Sequence, residues 1–124
     1  HPDTISAMNN LGNACSNLGI YKESLKIRKE VLSKYKEILG ENHPDTISAM
    51  NNLGCFYANI GIYEESSKIF EEVLFKRKEI LGENHPKTID SMNNLGKAYS
   101  DLGRYEEALE IREKILSKQK GKQD

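Results

Sequence analysis

The chain repeats itself at an interval of 42 residues. Residues 1–12 read His-Pro-Asp-Thr-Ile-Ser-Ala-Met-Asn-Asn-Leu-Gly, the same twelve residues return at 43–54, and an edited copy follows at 85–96. A period of roughly 20 to 50 residues is typical of solenoids, in which each unit buries its apolar face by stacking on a neighbour. We therefore expect a single domain, residues 1–124, made of the repeats 1–42, 43–84 and 85–124.

Each repeat predicts two helices. In the first unit Gly19 and Gly40 separate two segments of helical periodicity, and glycine commonly follows the end of a helix. Helix A is predicted over about residues 2–18, because proline favours the first helical turn, and helix B over about residues 21–39. The Gly-Glu-Asn-His-Pro connector at 40–44 is too short for a flexible linker and indicates a tight turn.

Charged residues are abundant but balanced. Lys, Arg, Asp and Glu make up 30% of the chain, are interleaved, and give a formal net charge of -1. Such a surface lacks the electrostatic field that attracts DNA, RNA or anionic lipid, so we expect neither nucleic acid nor a membrane as partner.

The cellular location is predicted from three weaker signals. No segment approaches the roughly 20 apolar residues of a membrane helix, and no signal peptide is visible at the N-terminus. Cys15 and Cys55 occupy non-equivalent places in their repeats, so we expect two reduced thiols, one packed and one facing the surface. These signals favour a cytoplasmic protein. Because the chain begins without Met, we also expect that it is a piece of a longer protein.

Helix A carries an uncharged polar face. On a helical wheel, apolar residues cover about half of its circumference, as expected for a helix packed against two neighbours. In the first unit the remaining arc consists of Ser6, Asn9, Asn10, Asn13, Ser16 and Asn17. Helix B is instead dense in Lys, Glu and Arg on its outer face.

A family resemblance follows from residues that all three repeats share. These are Leu11, Gly12, Gly19 and Tyr21, with their equivalents Leu53, Gly54, Gly61 and Tyr63, and Leu95, Gly96, Gly103 and Tyr105. The pattern resembles the tetratricopeptide repeat, and Ala108 and Phe70 match that family's small and aromatic positions on helix B. The 42-residue length is similar to the kinesin light chain type of repeat. Two residues depart from the pattern, since Arg28 and Arg112 stand where an aromatic is expected.

The resemblance implies an all-α fold, a right-handed α-α superhelix or solenoid of three helix-turn-helix units. It also implies a protein-protein interaction scaffold, with an extended peptide or partner protein bound in the concave groove lined by helix A. No enzymatic activity is expected. The glycines are assigned to turns and to close helix packing.

The histidines do not predict a metal site. They recur one repeat apart, far beyond the roughly 2 Å reach of a metal ion, and each precedes a proline, so we expect them to start helices. The pairs His1 with Asp3 and His43 with Asp45 become His85 with Lys87 in the third unit, and no nucleophile accompanies them. We therefore expect no catalytic site, no metal and no cofactor.

The asparagines of helix A are the candidate binding residues. An Asn side chain offers two donors and an acceptor, so it can pair with both the N–H and the C=O of an extended peptide. Adjacent helices pack about 8 to 10 Å apart and an extended chain advances about 3.3 Å per residue, which allows one asparagine per roughly three peptide residues. In kinesin light chain repeats a matching asparagine contacts cargo peptide, and the resemblance implies this role for Asn9, Asn51 and Asn93. The predicted peptide-binding set is completed by Asn13, Asn52, Asn94 and Lys97.

Two alternatives remain open at this stage. In the first, the asparagines have no ligand: they satisfy neighbouring polar groups or face water. Recent duplication would then explain why they recur, since the first two units agree at 31 of 42 positions. The whole array, alternatively, is structural, with end-to-end self-association or a synthetic consensus-like origin and no dedicated ligand. Its final helix B leaves part of an apolar set without a following unit: Leu109, Ile111, Ile115 and Leu116.

Overall fold

A computed structural model describes residues 4–8, 10–11 and 20–123 of the chain. All regular structure in these residues is helical. The complete helices are α1 (Tyr21–Leu39), α2 (Pro44–Asn59), α3 (Tyr63–Leu81), α4 (Pro86–Asp101) and α5 (Tyr105–Gln123). Residues 4–8 and 10–11 are also helical and belong to the first helix A. The predicted all-α fold is confirmed, and α1 has the predicted bounds of helix B.

The chain divides into two compact units, His1–Phe56 and Tyr57–Asp124. Each unit contains a helix B followed by a helix A, represented by α1 with α2 in the first and by α3 with α4 in the second. The division of residues 1–124 into three repeats of one domain stays a prediction.

Histidine starts the helix A segments by accepting a backbone hydrogen bond. His85 is in extended conformation, and its Nδ1 accepts from the N–H of Lys87 at 3.1 Å. His43 Nδ1 accepts from the N–H of Asp45 at the same distance of 3.1 Å. Each bond satisfies one of the N–H groups that a first helical turn leaves unpaired. The helix-start role is confirmed for both residues, whereas His1 lies outside the described residues.

The ends of α2 and α4 require a glycine. Gly61 and Gly103 both have φ of 81°, in the left-handed region that side chains other than glycine rarely adopt. The Gly61 N–H donates to Ala58 O at 3.1 Å, and the next N–H, of Ile62, donates to Tyr57 O at 2.8 Å. This pair of bonds is a Schellman motif, which ends the helix and turns the chain into helix B.

Polar side chains join α3 to α4 inside the second unit. Arg77 is only 7% exposed, and its Nη1 donates to Ser91 Oγ at 2.8 Å and to Lys87 O at 3.3 Å. The buried Thr88 hydroxyl bonds Arg77 O at 3.3 Å and Gly82 O at 2.8 Å. Buried polar groups need such partners, so these bonds fix how α4 lies against α3.

The first unit joins α1 to α2 in an equivalent way. Thr46, which corresponds to Thr88, donates its hydroxyl to Tyr35 O at 3.3 Å. The buried apolar side chains of the first unit are Ile5, Val31, Ile47, Met50, Leu53 and Phe56.

Arg28 stands where the family pattern has an aromatic residue, and its side chain lies on an aromatic ring of α2. Its guanidinium carbon is 5.0 Å from the centre of the Phe56 ring, and its Nε donates to Ser24 Oγ at 3.3 Å. Tyr21 completes the contact, with its ring 6.3 Å from that of Phe56 and tilted by 58°. Burial lowers the pKa of Arg28, which remains charged because an arginine pKa starts above 12. The cation–π pair therefore accommodates the departure from the family pattern.

Candidate peptide-binding surface

One face of α4 is exposed along its whole length. Asp90, Asn93, Lys97 and Asp101 are all exposed, and their spacing of three and then four residues places them on one side of the helix. The face therefore combines an amide with one ammonium group between two carboxylates, so it has one negative charge in excess.

Asn93 also borders an open cleft of about 380 Å³ between α4 and α5. The other lining residues are Met92, Gly96, Arg112, Ile115, Leu116 and Gln119. The cleft has an apolar floor with amide groups and one guanidinium at its rim.

In the second repeat the other asparagine of the pair is the exposed one. Asn51, the equivalent of Asn93, is half-buried and engaged in a contact. Asn52 is exposed and lines a smaller cleft of about 120 Å³ together with Arg28, Val31, Tyr35, Asp45, Ser48, Ala49 and Leu53. Its equivalent in the third repeat, Asn94, is half-buried and engaged. The structure thus presents Asn52 and Asn93 to solvent, one from each position of the pair.

The remaining predicted residues divide into two groups. Lys97 is exposed on the α4 face, whereas Asn9 and Asn13 lie outside the described residues. Cys55, in the register of Lys97, is half-buried and is not part of a disulfide. Cys15 lies outside the described residues.

A polar cluster that sequence reasoning missed lies near the end of α4. The Tyr99 hydroxyl donates to Glu71 Oε1 at 2.6 Å, and the Arg104 guanidinium lies 4.4 Å from the centre of the Tyr99 ring. Arg104 in turn donates two hydrogen bonds to the Glu107 carboxylate, at 2.8 and 2.5 Å. Tyr99 recurs as Tyr57 and Glu107 recurs as Glu23 and Glu65, but Arg104 replaces an isoleucine of the other two repeats. Periodicity gave no signal for these contacts, because they join residues of different helices and turns.

The cluster changes the protonation behaviour of its members. Burial, and then the hydrogen bond to the Glu71 carboxylate, raise the pKa of Tyr99 well above its usual value. The bond to Arg104 lowers the pKa of Glu107, and the same bond raises that of Arg104. These shifts keep Tyr99 neutral and Arg104 and Glu107 charged at neutral pH, so the cluster serves to position α4.

The chemistry of this surface is that of hydrogen bonding. Within the described ranges, no group of three or more His, Cys, Asp or Glu residues is placed to hold a metal ion. Nor does any helix among these residues have the length and apolar character to cross a membrane. The α4 face offers a ligand one amide, one ammonium group and two carboxylates.

Two overlapping segments, residues 3–74 and 56–120, match the model of the tetratricopeptide repeat family. The chain belongs to the tetratricopeptide repeat family. No curated protein matches the sequence at a significant level. Tetratricopeptide repeats are in general scaffolds for protein interactions and typically carry no catalytic activity, which agrees with the coarse functional prediction.

Solved structures support the fold. One similar structure is from Podosopora anserina and is described as the nearly identical TPR-like repeats of a kinesin light chain. It superposes with a TM-score of 0.87 at 24% identity and covers 99% of this chain. This chain spans 58% of the length of that structure. The structure of BtubC (BKLC) from P. vanneervenii has a TM-score of 0.82 at 19% identity. The match covers 96% of this chain and 48% of the BtubC chain. The N-terminal domain of stress-induced protein-1 from C. elegans gives 0.70 at 17% identity, covering 94% and 84%. The likeness confirms the predicted tetratricopeptide repeat fold.

Proposed function

We propose that this chain binds an extended peptide segment of a partner protein along the exposed polar face of its helix A segments. The observation that supports this most directly is the α4 face, where Asn93 and Lys97 stand exposed next to an open cleft. Asn51 and Asn9 occupy the same register in the other two repeats, and we assign them the same role.

The chemistry of this face favours a ligand of little net charge. Lys97 lies between Asp90 and Asp101 on α4, so an acidic peptide terminus would meet two like charges and one opposite charge, and repulsion would exceed attraction. An Asn side chain instead satisfies a peptide C=O and N–H together, as a neighbouring β-strand would. Recognition through neutral hydrogen bonds, reinforced by the apolar floor of the adjoining cleft, gives modest affinity because association has to offset the entropy of ordering the peptide.

The test starts from a peptide that the chain itself selects. Random twelve-residue peptides displayed on phage are selected against the full chain, and the best binder is synthesised for titration by fluorescence anisotropy. We expect the triple variant Asn9→Ala, Asn51→Ala and Asn93→Ala to weaken binding by about tenfold or more, since each lost hydrogen bond is worth roughly 1 kcal/mol.

Asparagines of the connectors provide the matched control. Asn42→Ala and Asn84→Ala remove the same chemistry away from helix A and are expected to leave the affinity within about twofold, as surface substitutions usually act weakly. Thermal melts of both variants verify that the fold is retained. Selected peptides whose affinity is unchanged by the triple substitution would show that the binding surface lies elsewhere.

A second candidate function is structural stacking of arrays. It is favoured by the exposure of Leu109 and Leu116, each 57% exposed on α5, because apolar residues in such a position commonly mark an interaction site. Ile111 is half-buried, and Ile115 is buried. The part of this apolar set that stays exposed is therefore Leu109 and Leu116.

A further inference from the structure

The outer side of α5 carries Arg112 and Gln119, which are both exposed, with the buried Ile115 between them. This side has a counterpart inside the chain. Three residues on the corresponding side of α3 are buried: Phe70 at 3%, Val73 at 0% and Arg77 at 7% exposed. Helix α4 contacts this side of α3, as the bond from Arg77 to Ser91 shows. Within this fold, the surface that α5 leaves open is therefore one that a helix A covers.

The three helix B segments do not present the same side chains on this side. At one position α1 has Arg28, α3 has Phe70 and α5 has Arg112. Seven residues earlier all three carry tyrosine, which in α1 and α5 is Tyr21 and Tyr105. The outer side of α5 therefore matches α1 in both residues and differs from α3 at the position of the aromatic.

The helix that packs on α1 carries a compensating residue. Phe56 of α2 receives the guanidinium of Arg28 on its ring and the ring of Tyr21 beside it. In the α3 and α4 pair the large ring is on helix B, as Phe70, and the position equivalent to Phe56 is Ala98, which is 1% exposed. An arginine at the position of Arg28 on helix B is thus paired with a phenylalanine on the following helix A. A phenylalanine at the same position, Phe70, is paired with an alanine, Ala98.

We propose that the outer side of α5 docks a helix A that carries an aromatic ring at the position of Phe56, supplied by a further tetratricopeptide repeat of the same type as repeat two. Arg112 lies over that ring as Arg28 lies over Phe56, and Tyr105 flanks it as Tyr21 does. The docked helix occupies the cleft that Arg112 and Asn93 both line, so it competes with a bound peptide for that cleft, whereas the Arg112 contact itself does not depend on the asparagines.

Volume and charge explain why an alanine-bearing helix is the poorer partner. Against Arg112, alanine removes the π face that a buried guanidinium needs and leaves a cavity, which is costly in a packed interface. The first helix A of a second copy has Ala14 at this position. Stacking of identical chains through this face is therefore the weaker match.

The chain supplies its own probes. Three synthetic 18-residue peptides, each stapled to hold a helix, correspond to helix A of the three repeats: residues 1–18, 43–60 and 85–102. Binding to the full chain is followed by NMR through the methyl groups of Ile115 and Leu116, which line the cleft next to Arg112. We expect the 43–60 peptide to bind about threefold or more tightly than the other two, from the strength of a cation–π contact.

Matched substitutions isolate the ring from the other differences between peptides. The 43–60 peptide with Phe56→Ala is expected to lose the advantage, and the 85–102 peptide with Ala98→Phe to gain it. In the chain variant Arg112→Phe the preference is expected to reverse in favour of the alanine-bearing peptides. Circular dichroism and the methyl spectrum of that variant verify its fold.

Three results would overturn the proposal. The first is the absence of methyl shifts with any of the three peptides at millimolar concentration. The second is equal affinity of the 43–60 peptide with and without the Phe56→Ala substitution. The third is tightest binding of the 1–18 peptide, which would assign the face to stacking of identical chains.

Discussion

Tyr99 shows how one hydroxyl group ties two helices together. The residue is 8% exposed, and its O–H reaches from α4 to the carboxylate of Glu71 on α3. A hydroxyl buried at this depth needs a partner, and a carboxylate is a strong acceptor. The side chain therefore contributes both its ring, packed under Arg104, and its hydrogen bond.

Removing this hydroxyl is expected to destabilise the fold in a pH-dependent way. Tyr99→Phe should lower the free energy of unfolding by about 0.5 to 2 kcal/mol at neutral pH. The pKa of Tyr99 is raised in the folded state, so its contribution is fully present below the unfolded tyrosine pKa of about 10 and is lost as the pH rises towards the folded pKa. Urea unfolding of wild type and variant at pH 7, 9 and 10.5 measures this difference.

Tyr57 provides the control for this substitution. It is equivalent to Tyr99 and similarly buried, but Lys29 stands at the position that corresponds to Glu71. Tyr57→Phe is therefore expected to lower the free energy of unfolding at pH 7 by less than Tyr99→Phe does. A Tyr99→Phe cost that is constant from pH 7 to 10.5 would contradict the assigned role of the hydrogen bond.

At the scale of the element, the sequence predicted the helices well because local rules determine them. Proline and histidine start helix A, glycine ends both helices, and apolar periodicity fills the interval between. These signals placed α1 at its observed bounds, Tyr21–Leu39. They did not predict that Arg77 is buried, since its partner Ser91 is 14 residues away and on another helix.

The candidate site was only partly predictable for the same reason. The helical wheel identified the polar arc of helix A, and Asn93 and Lys97 on α4 are indeed exposed. It did not predict that Asn51 is half-buried while Asn52 is exposed, because exposure depends on neighbouring helices and a wheel treats one helix alone. The pairing of Arg28 with Phe56 also escapes the wheel, since it joins two different helices.

The glycine at the centre of helix A also requires a corrected interpretation. Gly96 was assigned to close helix packing, yet a Cβ built there would meet Ile111 Cγ2 at 3.5 Å, an ordinary contact distance. Glycine inside a helix costs up to about 1 kcal/mol relative to alanine. We therefore expect Gly96→Ala to raise the free energy of unfolding by about 0.5 to 1 kcal/mol, measured by urea titration.

Gly103 supplies a control of opposite sign. Its φ of 81° is strained for alanine although the space around it is open, so Gly103→Ala is expected to lower stability by about 1 kcal/mol. If Gly96→Ala instead lowers the free energy of unfolding, α4 and α5 pack too closely to accept a methyl group. The glycine would then be required for close helix packing.

At the scale of the whole molecule, stability is expected to be local. In a repeat array each unit interacts only with its neighbours, so a change at one end is felt mainly nearby. The division of this chain into the compact units His1–Phe56 and Tyr57–Asp124 makes this expectation measurable.

Equivalent core leucines provide the measurement. Leu95 and Leu53 occupy the same repeat position and are 4% and 6% exposed, and truncating such a residue to alanine costs about 2 to 5 kcal/mol. We expect Leu95→Ala to reduce amide hydrogen-exchange protection chiefly in α4 and α5 and to leave α1 largely protected. Leu53→Ala should do the reverse, reducing protection in α1 while α5 retains it. If both variants instead lose protection equally from residue 20 to residue 123, the chain unfolds as one cooperative block, and each repeat then depends for its stability on more than its immediate neighbours.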